Sequence, residues 1–400
     1  MRLSDRISAL KPTAVNSILA EVNRLRAEGR EIFPLMRGEP DLPTPAHVVA
    51  AAESALRRGR TGYPDNRGET GFRRAVAEKL RRDNGLEYDP ATEILATTGA
   101  TFGIWSALTA ILNPGEVVLV PDPVYDAYLS PIRLAGGTPR LVPSSIEGGR
   151  FRLSAQTLES AWSPACRALL LNTPWNPAGT VLTADEIREI AAFVIERDLV
   201  LISDEIYEAI TYQGCRHVSP VAVEPALRGR TVLVNSLSKT YSMTGWRVGY
   251  CAAPADIVSA MFLVLQQSSR GPATFIQDAA AEALAGSQEC VAAMATEYTA
   301  RRTKVIEGLR GIPGCQVIEP EGGFFAMLDC RGLALPSDEI RRRLLHEFGV
   351  VVVHGAAYGP SGEGTIRVSF ASGGAALDRG LARLREGLLV IGSPAIMAQS

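Results

Sequence analysis

The sequence predicts an open α/β fold with a mostly parallel sheet between helices, followed by a smaller α+β region. Three observations carry this. Between residues 94 and 252, short β-like runs alternate with stretches of helical periodicity. Several of those runs are apolar throughout, as strands buried on both faces are. After about residue 310 the pattern changes to short β-like segments mixed with helices.

The elements follow in chain order. The β-like runs of the first region are 94–99, 117–121, 138–142, 168–172, 199–203, 232–235 and 248–252. A helix is expected over 102–112, ended by Asn113-Pro114-Gly115. Another is expected over 183–197, where Thr183 and Glu186 have the spacing of a capping box. Residues 275–309 read as helical with a break near Gly286. The later region offers strands at 316–318, 324–329, 350–353 and 365–370, and helices at 337–348 and 375–386. There is no internal repeat, low-complexity tract or long linker.

Composition excludes several functions. The chain of 400 residues is 46% hydrophobic and 21% charged, enough apolar material for a sizeable core. A net charge of -2 provides no bulk attraction to nucleic acid or acidic membranes. No apolar run is long enough to span a bilayer. The start, MRLSDRISALKPTAVNSI, carries charges throughout, so no secretory signal is expected and the cytoplasm is the expected location. The cysteines Cys166, Cys215, Cys251, Cys290, Cys315 and Cys330 form no C-x-x-C pair, so reduced thiols are expected and no metal. Four histidines give a Ser-His-Asp or His-metal mechanism little to draw on.

Four segments just past the ends of apolar runs carry chemistry. In Ser236-Leu237-Ser238-Lys239-Thr240 a lysine follows a strand end, where ligands bind in open α/β sheets. Desolvation there lowers a lysine's pKa and makes it a Schiff-base former. Ser236, Ser238 and Arg247 suit a phosphate, the arginine through forked hydrogen bonds. In Ile202-Ser203-Asp204-Glu205-Ile206-Tyr207 an apolar strand runs into Asp204. A buried carboxylate there requires a cationic partner such as a protonated pyridine nitrogen. The turn Asn172-Thr173-Pro174-Trp175-Asn176-Pro177 presents the Asn176 amide. Gly99, Ala100 and Thr101 precede the helix at Phe102, and a helix start with small residues is a phosphate site. Their joint occurrence at one kind of position defines a converging site.

These motifs resemble those of the class I aminotransferases, in the pyridoxal-phosphate (PLP) fold-type I superfamily. The likeness runs from RGEPDLPTP to TIRVSFA and rests on NPxGT, DEIY and SxSK(x)7R in that order along the chain. It implies fold type I, with 46–290 as a large domain and 1–45 with 291–400 as a small one. It implies a homodimer, and a ping-pong transfer of an amino group from an L-amino acid to a 2-oxo acid. Lys239 would hold the cofactor as a Schiff base and move the proton between Cα and C4′. Asp204 would pair with the pyridinium nitrogen, Tyr207 and Asn176 would bond the ring hydroxyl oxygen, and Tyr125 would stack on the ring. The phosphate would lie among Gly99, Ala100, Thr101, Ser236, Ser238 and Arg247, with Tyr63 lent by the second subunit. Gly38, Asn176 and Arg367 would receive the substrate α-carboxylate. His354-Gly355 and Gly271-Pro272 depart from the family's usual residues, and Arg270 or His354 is expected to touch the substrate's distal group. Thr101 stands where some acidic-substrate relatives have lysine, which counts against a dedicated enzyme of that kind. The alternatives are another carbanion fate (elimination, cyclisation or oxidation) and a non-catalytic PLP sensor, for which no DNA-binding segment is seen.

Overall fold

The computed structural model describes residues 4–8, 10, 12–212 and 214–393. Among them, seven strands form one sheet in the order Ile94–Thr97, Gly249–Ala252, Thr231–Ser236, Val200–Asp204, Cys166–Asn172, Val117–Asp122, Thr138–Pro143. Pairing is parallel from Thr231–Ser236 to Thr138–Pro143. The apolar runs explain the placement, because alternate residues feed two different cores. Ile94, Leu119, Leu169, Leu201 and Leu233 pack on one face. Leu95, Val118, Leu170, Ile202 and Val234 pack on the other.

One strand departs from the parallel pattern. Gly249–Ala252 runs antiparallel to both neighbours. Its link to Thr231–Ser236 contains only the four-residue helix Leu237–Thr240. Such a helix is about 6 Å long and is not a crossover helix of the kind that usually returns a chain along a sheet for a parallel pairing.

The expected helices form, all but the last with ends within two residues of those expected. Thr183 and Glu186 make both bonds of the capping box, at 2.9 and 3.2 Å, and open the helix Ala184–Glu196. The helix expected from Phe102 begins at Ala100, so Gly99 is its N-cap. The break near Gly286 separates Thr274–Ala285 from Glu289–Leu309. The last helix, Gly374–Ile391, continues past the expected end because Gly387 is a packing position: a Cβ there would lie 2.7 Å from Leu344 Cδ2. No helix among the described residues is long and apolar enough to cross a membrane.

A second sheet joins Gln316–Ile318, Phe325–Asp329, Thr365–Ser369 and Val353–His354, all antiparallel. The single strand expected over 350–353 divides in two. Val350–Val351 pairs with Phe33–Pro34, whereas Val353–His354 pairs with Thr365–Ser369. The N-terminal helix Ala14–Ala27 packs Ile18, Val22 and Leu25 against Leu345, Val351 and Val353. Both ends of the chain therefore meet over the small sheet, and residues 33–38 are carried toward the large sheet's carboxyl edge.

Candidate active site

The strand order reverses between Val117–Asp122 and Cys166–Asn172, and a cavity of about 660 Å³ opens beyond the carboxyl ends there. Its lining brings together Gly38, Ala100, Thr101, Tyr125, Asn176, Asp204, Tyr207, Ser236, Ser238, Lys239, Arg247 and Arg367. Gly99 lies directly behind, against Arg247.

Asp204 ends the strand Val200–Asp204 and is 4% exposed. Tyr128 Oη donates to its Oδ2 at 2.5 Å, and the Ile206 amide donates to Oδ1 at 3.1 Å. Among the described residues no cationic side chain makes an ion pair with it. Burial dominates and pushes its pKa from 3.8 up to about 6, with the Tyr128 bond opposing. Such a carboxylate calls for a cation placed in the cavity.

Lys239 sits on the short helix that follows Thr231–Ser236, and its Nζ donates to the Gly38 carbonyl at 2.5 Å. Burial lowers its pKa from 10.5 to about 8, against the opposite pull of Glu39 and Asp204. That is the state a nucleophilic amine requires near neutral pH.

An anion cradle borders the lysine. Ala100 and Thr101 open the helix Ala100–Ile111, whose first amides are free to donate. Gly99 has φ 84°, and a Cβ on it would lie 2.6 Å from Arg247 Nη2, so only glycine leaves the guanidinium its place. Arg247 itself has φ 54° and donates to the Thr244 carbonyl at 3.0 Å. Ser236 caps the short helix, its Oγ accepting from Ser238 N at 3.2 Å, and both serines are buried.

Opposite the lysine, Arg367 is 2% exposed in the strand Thr365–Ser369. It donates to the Met36 carbonyl at 2.9 Å and to Asn176 Oδ1 at 3.1 Å, and its guanidinium lies 4.0 Å from the Phe325 ring centroid. Its Nε has no partner among the described residues. A buried guanidinium without a carboxylate is built to receive one. Tyr207 packs edge-on against Phe324 and Phe325, with its hydroxyl pKa pushed far up by burial. Tyr125 stands edge-to-face with Tyr128, ring centroids 5.3 Å apart.

Three residues singled out from the sequence lie outside this cavity. Tyr63 is 87% exposed, with Arg270 stacked on its ring at 5.5 Å. His354 faces Asp338 at 3.6 Å on the small sheet, which removes it from substrate contact in this structure. Conversely, Tyr128 and Asp126 line the cavity and carried no motif of their own. The one available signal was their spacing, since a tyrosine three residues after Tyr125 returns to the same side of a 3-10 turn. A second cavity of about 410 Å³ lies around Lys79, Glu208 and His217. There Lys79, Asn84 and Asn235 all bond Glu208, so that carboxylate is satisfied within the protein.

The lysine, the buried acid at the strand end, the anion cradle and the unpaired arginine fit pyridoxal phosphate and an amino acid. Fold and site together define a PLP enzyme of fold type I. The family model for aminotransferase class I and II matches residues 30–384, and the chain belongs to that family. It is 39% identical to aromatic-amino-acid aminotransferase 2 of Thermococcus litoralis, over 96% of this chain and 98% of that one. It is 34% identical to aspartate aminotransferase of Geobacillus stearothermophilus, with the same coverage. A solved aspartate aminotransferase from Rhizobium meliloti superposes with a TM-score of 0.93 at 34% identity, over 97% and 99% of the two chains. The protein is a PLP-dependent aminotransferase, moving an amino group from an amino acid to a 2-oxo acid.

Proposed function

We propose that Lys239 is both the point of cofactor attachment and the residue that moves the substrate Cα proton. The observation that carries this is one cavity holding a half-buried lysine, a buried acid and a buried arginine, none with a charged partner among the described residues. Bound PLP supplies an aldehyde that captures an amine and a cationic ring that takes up electrons. Asp204, held by Tyr128, keeps the ring nitrogen protonated. Arg247, Ser236, Ser238 and the amides after Gly99 hold the phosphate. Arg367 would take the substrate carboxylate, with Gly38 and Asn176 beside it, in the cavity that also holds the Lys239 amine. Tyr125 would stack on the ring, and Tyr207 with Asn176 would bond its hydroxyl oxygen, all three lining the cavity.

Three further readings belong to the same proposal. Residues 46–290 form the large domain, and 1–45 with 291–400 the small one; of these, 1–3, 9, 11, 213 and 394–400 lie outside the described residues. The core over the small sheet, drawn mostly from 291–391 with Phe33 and Leu35 and joined by Tyr207, Ile210 and Tyr212, supports this division. The chain works as a homodimer in which Tyr63 reaches the neighbour's phosphate, as its exposure permits. It works in the cytoplasm, where its six unpaired thiols suit a reducing compartment.

The test is a half-reaction. Single amino acids are added to the PLP-loaded protein and the spectrum is followed. Conversion of the cofactor from aldehyde to amine form, lost in Lys239→Ala, is expected. No conversion with any amino acid would overturn the reading.

A further inference from the structure

Three cations and three acids line the active-site cavity among the described residues. In the reading above, Lys239, Arg247 and Arg367 serve the cofactor aldehyde, the phosphate and the α-carboxylate, and Asp204 serves the ring nitrogen. Of the cations this chain places on the lining, none is left for a second carboxylate on the substrate. Two acids remain. Glu39 is exposed and engaged by Arg37 at 3.2 Å and Thr244 at 2.7 Å.

Asp126 is different. It follows Tyr125, is half-buried, and makes no ion pair among the described residues. Its Oδ2 accepts the Ala14 amide at 3.0 Å, at the start of the fourteen-residue helix Ala14–Ala27. The positive end of that helix favours the anion. Burial raises its carboxyl pKa, opposed by the Ala14 amide and by Arg367. Asp126 lines the same cavity as Arg367, in a wall that also holds the apolar Val15, Met36 and Ala127 and the uncharged Thr13 and Asn16.

We propose that Asp126 sets the substrate class of this aminotransferase. It repels a side chain that ends in a carboxylate and favours an apolar one tipped by a hydrogen-bond donor, an amino or hydroxyl group. This rests on the roles proposed for Lys239 and Arg367. Discrimination of this kind needs no contact with the reacting atoms, since a like charge in a desolvated site is enough.

Pairs of amino acids differing only at the tip isolate the effect: glutamine against glutamate, ornithine against norvaline, tyrosine against phenylalanine. In the wild-type protein kcat/KM should favour glutamine over glutamate, and ornithine over norvaline, each by at least about tenfold. Asp126→Asn keeps an acceptor for Ala14 but removes the charge. It should shrink both ratios by about tenfold and leave phenylalanine within about threefold. Wild-type preference for glutamate, or ratios unchanged in Asp126→Asn and altered only in Asp126→Ala, would reduce Asp126 to a peg for the N-terminal helix and overturn the inference. Loss of conversion with every amino acid, these six included, would instead overturn the roles proposed for Lys239 and Arg367, and this inference with them.

Discussion

Replacing Asp204 by asparagine separates what the active site costs the apoprotein from what it gains with cofactor. The carboxyl pKa rises from 3.8 to about 6 on folding. A raised carboxylate pKa means the folded chain holds a proton that the unfolded chain would release. Stability is therefore full below pH 3.8 and is lost as pH rises through about 6. The gap of roughly 2 pKa units, at about 1.4 kcal/mol each, amounts to about 3 kcal/mol at pH 8 and about half that at pH 5. Asparagine carries no charge, and Tyr128 can still bond it. The apo Asp204→Asn protein should thus melt above the apo wild type at pH 8, by about 3–4 °C for a chain of this size, with a smaller gap at pH 5. With PLP bound the order reverses, because the wild-type anion then has its cation. Activity of the variant should fall by about a hundredfold or more. Melting curves of both apoproteins at the two pH values, repeated with cofactor, measure all of this. A variant less stable than wild type at pH 8, or a gap that does not shrink at pH 5, would refute the argument.

Other perturbations follow from the same geometry. Burial brings the Lys239 amine to about 8, so in the apoprotein its labelling by a small acylating reagent should rise with a midpoint near pH 8; a midpoint near the ordinary 10.5 would contradict the desolvation account. Arg367→Gln should lower kcat/KM by about 10²–10³-fold while the cofactor spectrum and melting temperature hold, because Arg367 has no carboxylate partner among the described residues. Lys79→Met leaves Glu208 charged and buried, and should cost about 3–5 kcal/mol in urea unfolding although it lies outside the active-site cavity.

Much of the site was legible in the sequence because its signals are local. Asp204, Asn176 and Lys239 each follow an apolar run by a few residues, and a parallel sheet sends the ends of such runs to one edge. Gly99 was readable as the entry to a helix, and Thr183 with Glu186 as a capping box, because both depend on backbone geometry within one turn. Tyr128 escaped notice for the opposite reason. Its hydroxyl meets Asp204 across 76 positions of chain, and nothing around it marks that encounter.

The sequence alone determined the periodicities, hence the strands and helices, and the residue types waiting at their ends. Tertiary structure decided which of those ends face the same water-excluded space. It turned Gly249–Ala252 antiparallel, because the link before it carries no crossover helix. It divided residues 350–353 between two sheets, because the N-terminal segment supplied a competing partner at Phe33–Pro34. It set Arg367 against Met36, 331 positions away, and Asp126 against Ala14, 112 positions away, while leaving Tyr63 outside the cavity. Hydrogen bonds and charges choose partners by distance after the chain has docked, and local sequence pattern carries no record of that distance.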